Sequence, residues 1–251
     1  MSEPLLSARA VVVRFGGLIA VDRVDLEIEA RALVGIIGPN GAGKTTLFNA
    51  LSGLVRPTAG RLAASGADLT GKPAHVFARA GIARTFQTPR VFADMTVAAS
   101  VRFGLEFAGR WRRGESAALG GVAPILDFLG LEASATLLVR ALTPARQRLL
   151  EIGMALATRP RVLLLDEVGA GLTEMEVAGM ARLVRRCRAE LGLSVVWLEH
   201  AVSVLLPAVE RVVVLHQGRT LAEGPPAAVT RNPAVIEAYL GEHTSAVEDR
   251  P

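Results

Sequence analysis

Residues 38–45 read Gly38-Pro39-Asn40-Gly41-Ala42-Gly43-Lys44-Thr45, a complete G-x-x-x-x-G-K-[ST] phosphate-binding loop. Ahead of it, Ala32-Leu33-Val34-Gly35-Ile36-Ile37 is a short apolar run that predicts a buried parallel strand. Behind it, Thr46 to Leu54 predicts a helix with Leu47, Leu51 and Leu54 on one face. Strand, glycine loop and helix in this order aim backbone N–H groups and a helix N-terminus at phosphates. In such a loop Lys44 reaches the β- and γ-phosphates, and the Thr45 hydroxyl ligates Mg²⁺. Gly38 to Thr46 are therefore expected to hold a nucleoside triphosphate.

Composition narrows the setting. The chain has 251 residues, enough for one large domain or a core with a smaller inserted lobe. Although 51% of it is hydrophobic, no uninterrupted apolar stretch approaches the roughly 20 residues that span a bilayer. Met1-Ser2-Glu3-Pro4-Leu5-Leu6 lacks the basic and apolar regions of a signal peptide. A single cysteine, Cys187, permits no internal disulfide and fits a reducing compartment, so a cytoplasmic protein is expected. Cys187 lies in a predicted helix with Leu183 and Val184 and reads as a packed thiol rather than a reactive one. The net charge of +4 is modest and carried almost wholly by arginine, lysine occurring only at 44 and 72. The nearest basic cluster, Arg110-Trp111-Arg112-Arg113, reads as a solvated loop, and no aromatic-and-basic interleaving marks a nucleic-acid surface.

Further out, Ala10 to Arg14 and Val24 to Ile28 flank a Gly16-Gly17 turn and predict antiparallel strands, with another short strand between Arg61 and Leu69. Between about 95 and 140 the pattern turns helical, broken by Gly109, Gly114 and Gly120-Gly121. Strand signals return at Val162–Leu165, Ser194–Leu198 and Val212–Leu215, with helices before and between the first two. The expected fold is α/β: a P-loop NTPase core with a mostly parallel sheet, an N-terminal antiparallel β-subdomain and an inserted helical lobe. The expected boundaries are 1–94 and 141–241 for the core, 95–140 for the helical lobe, and 242–251 for a flexible tail.

The apolar run Val162–Leu165 delivers Asp166-Glu167 at its C-terminal end, which places two acids by the phosphate loop of a neighbouring strand. Asp166 is the candidate Mg²⁺ ligand and Glu167 the candidate for polarising an attacking water. The alternative is an acidic N-cap for the next helix. His200 follows the next strand and becomes a candidate γ-phosphate contact by its place there; Gln87, in Arg84-Thr85-Phe86-Gln87-Thr88-Pro89, is unremarkable by itself.

Taken together and in this order, these pieces resemble the nucleotide-binding subunits of ABC transporters over essentially the whole chain. The resemblance implies that Phe15 stacks on adenine and that Gln87 senses Mg²⁺ and the lytic water while linking to a permease. It also implies that His200 clamps the γ-phosphate. Finer features, Phe15-Gly16-Gly17-Leu18, Ile82 to Gln87 and Ala234 to Gly241, look like the ATPase subunits of branched-chain amino-acid importers and their relatives for amides and urea. Such a resemblance implies ATP hydrolysis, Mg²⁺, a second ATPase subunit, permease subunits, an indirect link to a substrate-binding protein and a peripheral place on the inner membrane face. Soluble ABC ATPases of ribosomes or DNA usually carry paired domains or coiled-coil insertions, which this chain lacks. A phosphotransferase with the same loop leaves Gln87 and His200 unexplained.

One segment departs from the family. Its signature, close to Leu-Ser-Gly-Gly-Gln, aligns with Leu142-Thr143-Pro144-Ala145-Arg146. Thr143 keeps a hydroxyl, but Pro144 has no N–H and Ala145 adds a methyl group where the family has glycine. Arg146 offers compensating charge. The proline usual after the catalytic glutamate is Val168. Because each ATP in this family lies between two subunits, the altered signature serves the partner's ATP, and a heterodimer with unequal sites is expected ahead of a homodimer.

Overall fold

The computed structural model describes residues 3–109, 119–199 and 202–239. Strands β1 (Leu6–Phe15) and β2 (Leu18–Ile28) form the N-terminal hairpin around Gly16-Gly17, with Phe15 opposite Leu18 and Leu6 opposite Ile28. β3 (Leu33–Ile37) runs into the glycine loop and α1 (Lys44–Leu51). β4 (Ala59–Ala64) and β5 (Ala67–Asp68) complete an antiparallel sheet of order β2-β1-β4-β5. After α2 (Ala74–Arg79) comes β6 (Ile82–Arg84), a three-residue strand too short to show a period in the sequence. α3 (Val97–Gly109), α4 (Val122–Leu129) and α5 (Pro144–Ala157) follow.

The C-terminal part alternates β7 (Val162–Asp166), α6 (Glu174–Leu191), β8 (Ser194–Leu198), α7 (Val202–Leu205), β9 (Arg211–His216), β10 (Arg219–Gly224) and α8 (Pro226–Val229); residues 233–239 are also helical. The second sheet has the order β10-β9-β3-β8-β7-β6, parallel throughout except for the β9–β10 edge. The α/β class, the antiparallel sheet and the mostly parallel sheet agree with the sequence reading.

Every residue of β3, β7 and β8 is buried, which explains why these runs are apolar without alternation. Their side chains still alternate between two cores. Leu33, Ile37, Leu163, Leu165, Val195 and Trp197 pack towards α3, α4, α5 and α6, whereas Val34, Ile36, Val162, Leu164, Val196 and Leu198 pack towards α1 and the antiparallel sheet. Cys187 lies in the first core, where burial pushes its thiol up to about 12, as a packed cysteine requires.

Two local expectations change. α1 stops at Leu51, so Leu47 and Leu51 are fully buried while Leu54, beyond Gly53, is 48% exposed. β8 lies between β3 and β7, so the acid-bearing strand is one strand removed from the phosphate-loop strand. Arg110-Trp111-Arg112-Arg113 and the 242–251 tail lie outside the described residues. No described helix is long and apolar enough to cross a membrane.

Candidate functional site

Parallel strands bring their C-terminal ends to one edge of the sheet, and each end here releases a loop with chemistry in it. The register sets Asp166 and Ile36 against the same residue, Leu198. Along that edge lie the 38–45 loop after β3, Thr85–Gln87 after β6, Asp166-Glu167 at β7 and Glu199 after β8.

The glycine loop is shaped by close backbone approach. Gly43 caps α1 with φ at +93°, and a Cβ there would strike the Ala20 carbonyl; Gly38, at φ +152°, lies against the Leu215 carbonyl. No side chain caps α1, which leaves its first N–H groups directed into the loop, as a phosphate site needs. The Lys44 ammonium is buried and donates to the Gly38 and Pro39 carbonyls, both at 2.7 Å, inside the ring the loop makes. Thr45 is exposed beside it and Thr46 half-buried. Phe15, Ala20, Asn40 to Thr46 and the Gln217-Gly218 turn line a cavity of about 570 Å³, large enough for a nucleotide. Phe15 and Leu18 stand over it 51% and 67% exposed, an apolar face beside a phosphate cradle.

The β7 carboxylates are deeply set. Asp166 forms an ion pair with Arg84 at 2.6 Å, both side chains being about nineteen-twentieths buried. The other arm of Arg84 donates to the Asn49 amide oxygen at 2.7 Å and the Ser52 hydroxyl at 2.9 Å, both borne by the α1 segment. The Arg84 guanidinium also lies over the Phe48 and Phe86 rings. Glu167 occupies the left-handed region at φ +48°, and its carboxylate accepts a hydrogen bond from the Gln87 amide at 2.6 Å. The structure thus brings Gln87 and Glu167 together. His200 lies outside the described residues.

Three further residues complete the surroundings, and the sequence reading singled out none of them for a role. Arg148 of α5 donates to the Glu167 and Ala170 carbonyls at 3.2 and 2.8 Å, bracing the turn that carries Glu167. Glu151, three residues on and on the same helix face, accepts from the Phe86 and Arg90 amides at 3.2 and 3.0 Å; burial pushes its carboxyl up to about 7. Glu199 accepts from the Gly169 amide at 2.6 Å and the Trp197 indole at 3.2 Å. The available signal was a charged residue beside an apolar run: Glu151 in Leu149-Leu150-Glu151-Ile152 and Glu199 after Val195–Leu198.

At the altered signature, Leu142 is buried and Thr143 caps α5, its hydroxyl accepting from the Arg146 amide at 3.4 Å. Pro144 takes the first helical position, where a missing N–H removes no helical bond. The Arg146 guanidinium donates to the Ser134 hydroxyl at 2.8 Å, and Ala145 is half-buried.

The ABC transporter family model matches residues 21–170, from β2 through the loop after β7. The chain belongs to the ABC transporter ATP-binding family, and so to a family of ATPases. A second family, described as the branched-chain amino acid ATP-binding cassette transporter, matches residues 219–244. The high-affinity branched-chain amino acid transport ATP-binding proteins BraF of Pseudomonas aeruginosa and LivG of Escherichia coli are each 39% identical, over 96% of this chain and 100% of theirs. The lipopolysaccharide export system ATP-binding protein LptB of Acidithiobacillus ferridurans is 36% identical over 96% of this chain and 98% of its own. Among solved structures, an ATP-binding cassette of an ABC transporter in its ADP conformation superimposes with a TM-score of 0.83 at 29% identity, over 96% of this chain and 100% of that one.

Removing Arg84 strands a buried carboxylate. Arg84→Met should lower stability by about 3–5 kcal/mol in urea unfolding, and adding Asp166→Asn should recover most of that loss. A loss below about 1 kcal/mol for the single variant would show that the pair is not what keeps Asp166 buried.

Proposed function

We propose that this chain is the ATP-hydrolysing subunit of an importer for branched-chain or related hydrophobic amino acids, with amides or urea as the other cargoes its resemblance allows. The observation that carries the reading is the match at residues 219–244 to the branched-chain cassette family. The 36% identity to a lipopolysaccharide-export ATPase indicates that the ATPase core alone does not set cargo or direction. Peripheral attachment to the inner membrane face through permease subunits follows from this reading, with a substrate-binding protein acting at one remove.

In this reading Phe15 takes the adenine, and Gly38 to Thr46 take the phosphates. The α1 N–H groups and Lys44 offset the phosphate charge. The hydroxyl of Thr45, the carboxylate of Asp166 and the amide oxygen of Gln87 are hard donors suited to a Mg²⁺ that keeps phosphate and water ligands. Glu167 polarises water for attack on the γ-phosphorus, the bond to the β–γ bridging oxygen breaks, and ADP and phosphate leave. Gln87, already bonded to Glu167, orients that water, and His200 is assigned to the γ-phosphate. Residues 95–140 serve as the helical lobe on a core of 1–94 and 141–241. α5 joins the two through its packing on α3 and α4.

Phe92 and Phe103 support a permease contact. They stand edge to face at 5.2 Å between ring centroids, 42% and 51% exposed, with Phe92 on the segment that follows Gln87 and Phe103 on α3. Co-expressed with its permease, the chain should sediment with membranes; expressed alone, it should remain in the supernatant. Membrane binding without the permease would contradict the reading.

The signature at Leu142 to Arg146 supports a heterodimer with one strong and one weak site. Its Arg146 is turned to Ser134, and Ala145 stands where the family has glycine. Glu167→Gln in this chain and the equivalent change in a second ATPase subunit should then reduce turnover unequally, with the Glu167→Gln variant losing a different share of ATPase from its reciprocal. Equal losses would sink the asymmetry.

A further inference from the structure

The loop that carries Gln87 is short and exposed, yet its two ends meet a single buried side chain. The Phe86 and Arg90 amides both donate to Oε1 of Glu151, at 3.2 and 3.0 Å. Glu151 belongs to the middle of α5, is 5% exposed, and its Oε2 has no hydrogen-bond partner among the described residues. A carboxyl group so desolvated is costly unless hydrogen bonds replace the lost water, and here the two loop amides are the partners that do so. Packing of Arg90 over the Phe86 ring, 4.1 Å from guanidinium carbon to centroid, closes the same loop from outside. One helical turn earlier, Arg148 holds the Glu167 and Ala170 carbonyls. α5 therefore grips both loops that contribute to the Gln87–Glu167 contact, one with an acceptor and the other with a donor.

We propose that Glu151 is a positioning residue for ATP hydrolysis: by tying the Phe86 and Arg90 amides to α5, it holds Gln87 against Glu167. The proposal rests on the hydrolytic roles given above to Gln87 and Glu167. In this role Glu151 acts through the loop backbone and not on the nucleotide or the attacking water. Because α5 begins at the signature segment, a shift of that segment would be carried to Gln87 by the same helix.

The test uses the full chain and two substitutions of similar volume. Glu151→Gln keeps an oxygen acceptor for both amides, whereas Glu151→Met keeps the bulk and removes the acceptor. Hydrogen exchange in the wild type should show the Phe86 and Arg90 amides protected. Free-loop exchange at both positions would overturn the proposal without any variant. Glu151→Met should lose that protection and lower kcat about tenfold or more, with KM for ATP changed less than twofold. Glu151→Gln should restore both protection and kcat. In a Gln87→Ala background the Glu151→Met loss should vanish, because both changes act through one contact. An undiminished loss in that background, or a folded Glu151→Gln variant as slow as Glu151→Met, would overturn the proposal. A Glu167→Gln variant that still turns over ATP normally would instead refute the hydrolytic roles on which it rests.

Discussion

Two carboxylates buried at the end of an apolar strand, Asp166 and Glu167, dictate which partners the surrounding loops must bring to the sheet edge. Removing a carboxylate from water costs several kcal/mol unless partners replace the solvent. β7 can place Asp166 and Glu167 at the sheet edge because each neighbouring element supplies such a partner. Arg84 at the end of β6 pairs with Asp166, and Gln87 beyond it donates to Glu167. Arg148 of α5 braces the backbone behind Glu167. The left-handed conformation of Glu167, unfavourable for a non-glycine residue, persists because its N–H is also fixed, donating to Leu198 at 2.9 Å.

Arg84 ties this cluster to the nucleotide loop. Its one guanidinium joins Asp166 to Asn49 and Ser52 of the α1 segment, so the helix that follows the glycine loop and the strand that presents carboxylates are fixed to each other. Glu199 extends the connection the other way, from the strand end before His200 to the Gly169 amide after β7. The site is a set of loops whose mutual positions are set by buried charged side chains, on a sheet whose two cores keep the strand ends in register.

The glycine loop, the β3 and β7 strands and the N-terminal hairpin were legible in the sequence because each leaves a local mark. Glycines fall where the backbone is crowded, apolar runs fall where both faces are covered, and Gly16-Gly17 marks the turn. β6 was not legible, since three residues carry no period. The position of β8 between β3 and β7 is a matter of topology that spacing cannot encode. Arg84 and Glu151 were missed for a different reason: a charged residue beside apolar neighbours reads as an interruption until its buried partner is known. The end of α1 at Leu51, which turns Leu54 outward, was hidden behind a helical spacing that Gly53 breaks.

The proposed function divides the labour: the loop at 38–46 binds ATP and the end of β7 acts on it. Nucleotide binding and steady-state turnover, measured side by side for Lys44→Ala and Glu167→Gln, test it most directly. Lys44→Ala should weaken ATP binding at least about tenfold, whereas Glu167→Gln should bind ATP as the wild type does and lose about a hundredfold or more in turnover. Wild-type turnover in Glu167→Gln, or wild-type binding in Lys44→Ala, would contradict it.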